Sequence, residues 1–322
     1  MIARFTLACP VLGALALASC SDREHETSRS RATPVTIADP SRYWTDSEFV
    51  EMTPPLRLPS RDGRERIRVW LRIPPGEHFG LEQGPRGVAL TYPPGTIADR
   101  TDQGDEGDAS SVGDVRGTRF EDAGREVFHV LRRLDGAGSS QLSGLEWRRD
   151  DREAEAEATR SMSAWILRAE GPGTDVDAFR MQNDCGSCHV HDKPERTSRR
   201  AGDGPAPNRG TDAGGLYVVQ TVLADSAPLE THRAREMNER DPFVTVECGE
   251  GWPPPRIESR SRSRHYACDG GRVPYGRYDV AGALAAGDEH ALAVCRSRAY
   301  LRDHLDAEGR AAFGPVLDEC GL

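Results

Sequence analysis

Two thiols and an imidazole stand together at Cys185-Gly186-Ser187-Cys188-His189. These residue types at this spacing fit the C-x-x-C-H pattern of covalent haem attachment: the thiols add across two vinyl groups, and the histidine offers an axial nitrogen to the iron. The two intervening residues are small, as suits a tight turn against a porphyrin edge. A C-x-x-C pair also opens thioredoxin-like redox sites and half of many zinc sites. Neither of those uses the adjacent histidine, and the chain has no second C-x-x-C and no H-x-x-x-H.

An iron held at His189 calls for a donor on its far side. Met237, the only methionine downstream of the motif, leads; His232, five residues earlier, is its rival, and His265 stands third. His191 is too close to His189 to reach the opposite face. Methionine would raise the potential relative to a second histidine. From about Phe179 to Met237 the sequence resembles the c-type cytochrome family. By that resemblance Asp175 to Asp184 forms a helix leading into the motif, with Phe179 and Met181 turned toward the haem. The resemblance also makes Gly204-Pro205 the pair whose carbonyl accepts the second N–H of His189 and fixes its ring. It departs from the family at Met237, which is followed by Asn238 in place of proline and preceded by the charged Arg235 and Glu236.

The N-terminus places this chemistry outside the cytoplasm. Arg4 precedes an apolar run from Phe5 to Leu17, too short to span a bilayer permanently and laid out as an export signal. The run closes on Leu17-Ala18-Ser19-Cys20, which resembles the lipobox of bacterial lipoproteins. That resemblance implies cleavage after residue 19 and acylation of Cys20. Ser21 in place of aspartate points to the periplasmic side of the outer membrane rather than the inner membrane. An ordinary secretory signal is the alternative, and it also implies export.

Export puts the cysteines in an oxidising compartment. Cys9 leaves with the signal, Cys20 takes lipid, and Cys185 with Cys188 take haem, which leaves Cys248, Cys268, Cys295 and Cys320. Four cysteines allow three connectivities. The local pairing Cys248–Cys268 and Cys295–Cys320 is favoured, because Gly- and Pro-containing residues bend the first loop and antiparallel helices bring the second pair level.

The elements that must position the motif read as an α+β chain. Residues 1–19 are the signal and 20–40 a flexible polar tether. A β-rich domain of unknown role occupies 41–170, a helical cytochrome c-like haem segment 171–240, and a disulfide-stapled helical tail 241–322. Apolar residues alternate with mostly basic ones from Ile67 to Ile73, the period of a half-buried strand. Val88 to Tyr92, Val127 to Leu131 and Ala164 to Leu167 read as further strands, with turns at Pro93-Pro94-Gly95 and Asp135 to Gly138. Arg148 to Arg160 suits an exposed helix or a loop. Asp288 to His304 and Asp306 to Glu319 read as two helices, on the spacing of Leu292, Cys295 and Ala299 and of Phe313, Val316, Leu317 and Cys320; Gly314-Pro315 weakens the second.

A balance of 52 acidic against 42 basic residues, net charge −10, argues against a nucleic-acid surface. Asp102 to Asp108 has calcium-like oxygen donors without the ordered loop spacing, and reads as a solvated loop. The arginines Arg256, Arg260, Arg262 and Arg264 form a solvated loop, or else a face for an acidic redox partner or for haem propionates. His25, His78, His129, His290 and His304 read as structural or surface residues. The function expected is one-electron transfer with a partner protein through one covalent haem c, at a membrane reached by acyl chains. A haem enzyme with an open distal site and a haem-containing sensory or binding lipoprotein are the alternatives.

Overall fold

Period-two alternation builds the largest element. In β3 (Arg66–Arg72) Val69 and Leu71 are buried while Arg68, Trp70 and Arg72 are half-buried on the other face. The computed structural model describes residues 32–56, 66–84, 87–103, 112–121, 125–133, 141–170, 217–228, 241–248, 256–260, 263–268 and 275–322. Within them, β1 (Thr33–Ile37), β2 (Val50–Glu51), β3, β6 (Ile97–Gln103), β7 (Val112–Phe120), β8 (Glu126–Arg132) and β9 (Leu142–Arg148) form an antiparallel sheet. Its order is β1-β9-β8-β7-β6-β3-β2. A hairpin of β4 (Gly80–Gly84) and β5 (Gly87–Thr91) is inserted between β3 and β6. The tether expected to run to residue 40 is shorter in its described part: Thr33 to Ile37 pair with Glu146 to Leu142 as the edge strand β1.

Helices cover both faces of this sheet. On one face α1 (Pro40–Asp46), opened by Asp39 and Pro40, drives Trp44 into a cluster with Ile37, Phe49, Ile97, Val115, Leu131 and Leu142. On the other lies α2 (Arg152–Glu170), whose Ala154, Ala158, Met162 and Ile166 pack on Phe128, Val130, Leu145 and Trp147. Ala164 to Leu167, expected as a strand, belongs to α2. Four apolar residues in a row carry no period of their own. The stripe at every fourth position from Ala154 to Ile166 decides for helix once the sheet is there to cover it. The backbone N–H of Ala154 donates to Asp151 Oδ1 at 2.9 Å, and Glu153 and Glu155 in the first turn with Arg168 in the last complement the helix dipole.

The C-terminal part is a run of short helices, three of them opened by aspartates. Asp279, Asp288 and Asp306 accept from the backbone N–H three residues on, at the starts of α4 (Val280–Ala285), α5 (Glu289–Asp303) and α6 (Ala307–Ala312). The second expected helix is two pieces, α6 and α7 (Gly314–Asp318), because Gly314-Pro315 restarts the chain after Phe313. The first is α5 as expected, with its buried side rotated one position: Ala291, Val294, Arg298 and Leu301 face inward, and Leu292 is 43% exposed.

The tail and the sheet share one core. Val69, Leu71, Leu90 and Tyr92 pack with Val219 and Val222 of α3 (Tyr217–Val222) and with Leu301, Leu305 and Leu317. Polar contacts pin α5 there: Ser297 Oγ donates to Glu51 O at 3.0 Å and accepts from Thr53 N at 2.9 Å, and Ile73 N donates to the Tyr300 hydroxyl at 3.0 Å. A smaller sheet of β10 (Ser226–Pro228), β14 (Tyr275–Tyr278) and β11 (Val244–Glu247) stands with a hairpin of β12 (Arg256–Arg260) and β13 (Ser263–Ala267). Both disulfides have the expected connectivity, Cys248–Cys268 and Cys295–Cys320, each with Cα atoms 5.5 Å apart. Among the described residues, no helix is long and apolar enough to cross a membrane.

Candidate functional site

Cys185, Cys188 and His189 lie outside the described residues, as do Cys20, His191, His232 and Met237. His265 is on β13, opposite Glu258 of β12. The loop of Asp102 to Asp108 is described only to Gln103, where β6 ends. Of the arginine group, Arg256 and Arg260 are on β12 and Arg264 on β13.

The structure does define the two shoulders between which the motif is strung. Upstream, α2 is fixed along the sheet by its stripe of small and apolar residues. Downstream, Val219 and Val222 are fully buried and Leu223 is 3% exposed, so the chain re-enters directly into the main core. Arg298 fastens this second shoulder. Its guanidinium is 0% exposed and donates to Val222 O at 3.0 Å, Ala224 O at 3.3 Å, Val316 O at 2.8 Å and Glu319 Oε2 at 2.7 Å. Burial lowers its pKa and Glu319 raises it, and an arginine stays charged through the working range of pH. The guanidinium supplies donors in a fixed fork to carbonyls at the end of α3 and in α7, where helix ends leave such groups without intrahelical partners. The sequence carries a sign of this: Arg298 interrupts the buried stripe Ala291, Val294, Leu301.

A second polar group sits in the sheet's other core. Asp99, 1% exposed, accepts from the Trp44 indole at Oδ2 (2.9 Å) and meets His129 Nε2 at Oδ1 (2.7 Å). Asp99 and His129 are on β6 and β8, with β7 between them. They touch because the register places Gly117 in the intervening row, and a Cβ there would overlap both His129 Nε2 and Asp99 Oδ1. With Asp99 ionised, the proton of this contact is on His129 Nε2. Nearby, burial pushes the Tyr43 hydroxyl up to about 12, with Asp99 adding and Arg72 opposing. Sequence reasoning did not find this group, because no local spacing joins its members. Two further histidines hold carbonyls: His290 Nε2 donates to Pro55 O and His304 Nδ1 to Glu77 O, both at 2.9 Å.

No protein-family model, no curated protein and no solved structure matches this chain. Its functional reading therefore stands on its own residues. Among the described residues, no three His, Cys, Asp or Glu side chains gather in a way that could hold a metal ion. The four described cysteines pair with one another, so none is a disulfide partner for Cys185 or Cys188. Two thiols three residues apart with a following imidazole are the donor set that covalent haem requires.

Proposed function

We propose that the chain is an envelope-anchored, mono-haem c-type cytochrome that exchanges single electrons with a partner protein. The observation that carries this reading is Cys185-Gly186-Ser187-Cys188-His189 in a chain that opens with an export signal. Cys185 and Cys188 hold the haem by thioethers, and His189 supplies the proximal nitrogen. Gly204-Pro205 orients the imidazole, and Met237 leads as the far ligand. Haem bound there supplies one-electron redox chemistry at its iron, and the chain sets the potential through axial ligation and burial. Two disulfides are the chemistry of an oxidising compartment, in keeping with export. Acyl chains on Cys20 tie the protein to a membrane, with the periplasmic side of the outer membrane favoured by Ser21.

A visible absorption spectrum of the purified holoprotein tests the electron-transfer reading. Low-spin, six-coordinate iron that binds carbon monoxide slowly is expected. High-spin iron that takes carbon monoxide or cyanide at once would replace electron transfer with an open-site enzyme or sensor. A Met237→Ala variant that becomes high-spin would identify the far ligand, and a His232→Ala variant with that effect would move the assignment to His232.

A further inference from the structure

The two disulfides have different surroundings. Cys248 and Cys268 are 7% and 4% exposed, whereas Cys295 and Cys320 are half-buried at the margin of a small core around Tyr278, Val280 and Ala283. Thiol–disulfide exchange depends on access to the attacked sulfur and on the stability of the departing thiolate. The second disulfide is the more accessible of the two, and its two sulfurs differ as leaving groups. Arg298 Nη1 lies 3.8 Å from Cys320 Sγ, so a thiolate departing there meets a fixed buried cation, an arrangement that lowers thiol pKa. Glu319, on the same Nη1 at 2.7 Å, opposes this by its own charge.

We infer that Cys295–Cys320 is a thiol-exchange site at which Cys295 is the sulfur attacked and Cys320 the leaving group, and that Arg298 couples the exchange to the end of α3. The co-reactant is a dithiol. Its thiolate forms a bond to Cys295 Sγ as the Cys295–Cys320 bond breaks, and the electron pair departs on Cys320 toward Arg298. The second thiol of the reductant loses its proton and attacks the mixed disulfide. It leaves as a cyclic disulfide, two electrons oxidised, and Cys295 takes up a proton. The charge now on Cys320 competes with Val316 O and Glu319 for Nη1, and the end of the chain after α7 is no longer covalently tied to α5. The same guanidinium holds Val222 O and Ala224 O, so the end of α3 loosens with it. This inference is independent of the haem reading.

The test uses the full, exported, oxidised chain without denaturant. Limiting dithiothreitol is added, thiols are trapped by alkylation, and peptides are mapped. Cys295 and Cys320 should be labelled about tenfold faster than Cys248 and Cys268, as expected of a half-buried against a buried bond. With glutathione as the only thiol, the mixed disulfide should be found on Cys295. Glu319→Gln keeps the backbone contacts of Arg298 and should speed exchange. Hydrogen exchange over Val222 to Ala224 should rise on selective reduction. Equal labelling of both pairs, the buried pair opening first, the glutathione adduct on Cys320, a slower Glu319→Gln variant, or unchanged protection over Val222 to Ala224 would each overturn the proposal.

Discussion

Gly117 shows how a single missing Cβ permits a buried polar contact. The row Asp99, Gly117, His129 crosses three strands, and only a residue without a side chain lets the outer two touch over the middle one. Gly117→Ala should cost about 1–3 kcal/mol, the range for overpacking a filled core. Urea unfolding should show the midpoint falling with the slope unchanged. Asp288 offers a test with a pH sign. Its carboxyl is held below the ordinary value of 3.8 chiefly by the N–H of Ala291, then by the Tyr278 hydroxyl. A depressed carboxyl stabilises the fold above its unfolded pKa, and this contribution is lost as pH falls through the folded one. Asp288→Ala should therefore cost about 1 kcal/mol at pH 7, as for a lost N-cap. Its difference from the parent should shrink in urea titrations run progressively below pH 3.8. Residues of this second kind are legible in sequence, since an aspartate before a helical stripe is a local signal. The Trp44, Asp99 and His129 group is not. Its hydrogen bonds join residues 55 and 30 positions apart, and strand register alone brings them together.

At the scale of elements, sequence period separated strand from helix where the run was long and failed where it was short. Ile67 to Ile73 alternates over seven residues and is β3 with both ends shifted one residue toward the N-terminus; Ala164 to Leu167 is part of a helix whose stripe begins at Ala154. Helix phase needed the tertiary partner. Leu292 looks like a core residue until Ser297 and Tyr300 dock α5 on the sheet and turn it outward. The disulfide pairing was legible because turn residues and helix order set which chain segments can approach. In α2, Met162→Ala removes a fully buried side chain from the stripe on Phe128 and Trp147, and should cost about 2–5 kcal/mol in urea unfolding. Removing Arg298 breaks its ion pair with the half-buried Glu319 and leaves the carbonyls of Val222, Ala224 and Val316 without that donor. Arg298→Ala should destabilise by about 3 kcal/mol or more, with amide exchange rising first over α3 and α7.

For the whole molecule, sheet and C-terminal helices share one core, and the C-x-x-C-H motif lies in the sequence between α2 and α3. The α+β class, the two disulfides and the helices after Asp288 were legible from alternation, caps and cysteine spacing, whereas β11 to β14 stand where a helical tail was expected. The joint core was not, because its two halves are separated in sequence by the motif itself. The central claim is that Cys185, Cys188 and His189 carry one covalent haem. Its most direct measurement is haem retention through denaturing electrophoresis, with intact mass, after expression of the full chain alongside haem-attachment machinery. The account predicts a band that stains for haem and a mass raised by one haem, both lost in the Cys185→Ala/Cys188→Ala double variant. A parent chain without haem, or a double variant that still stains, would contradict it.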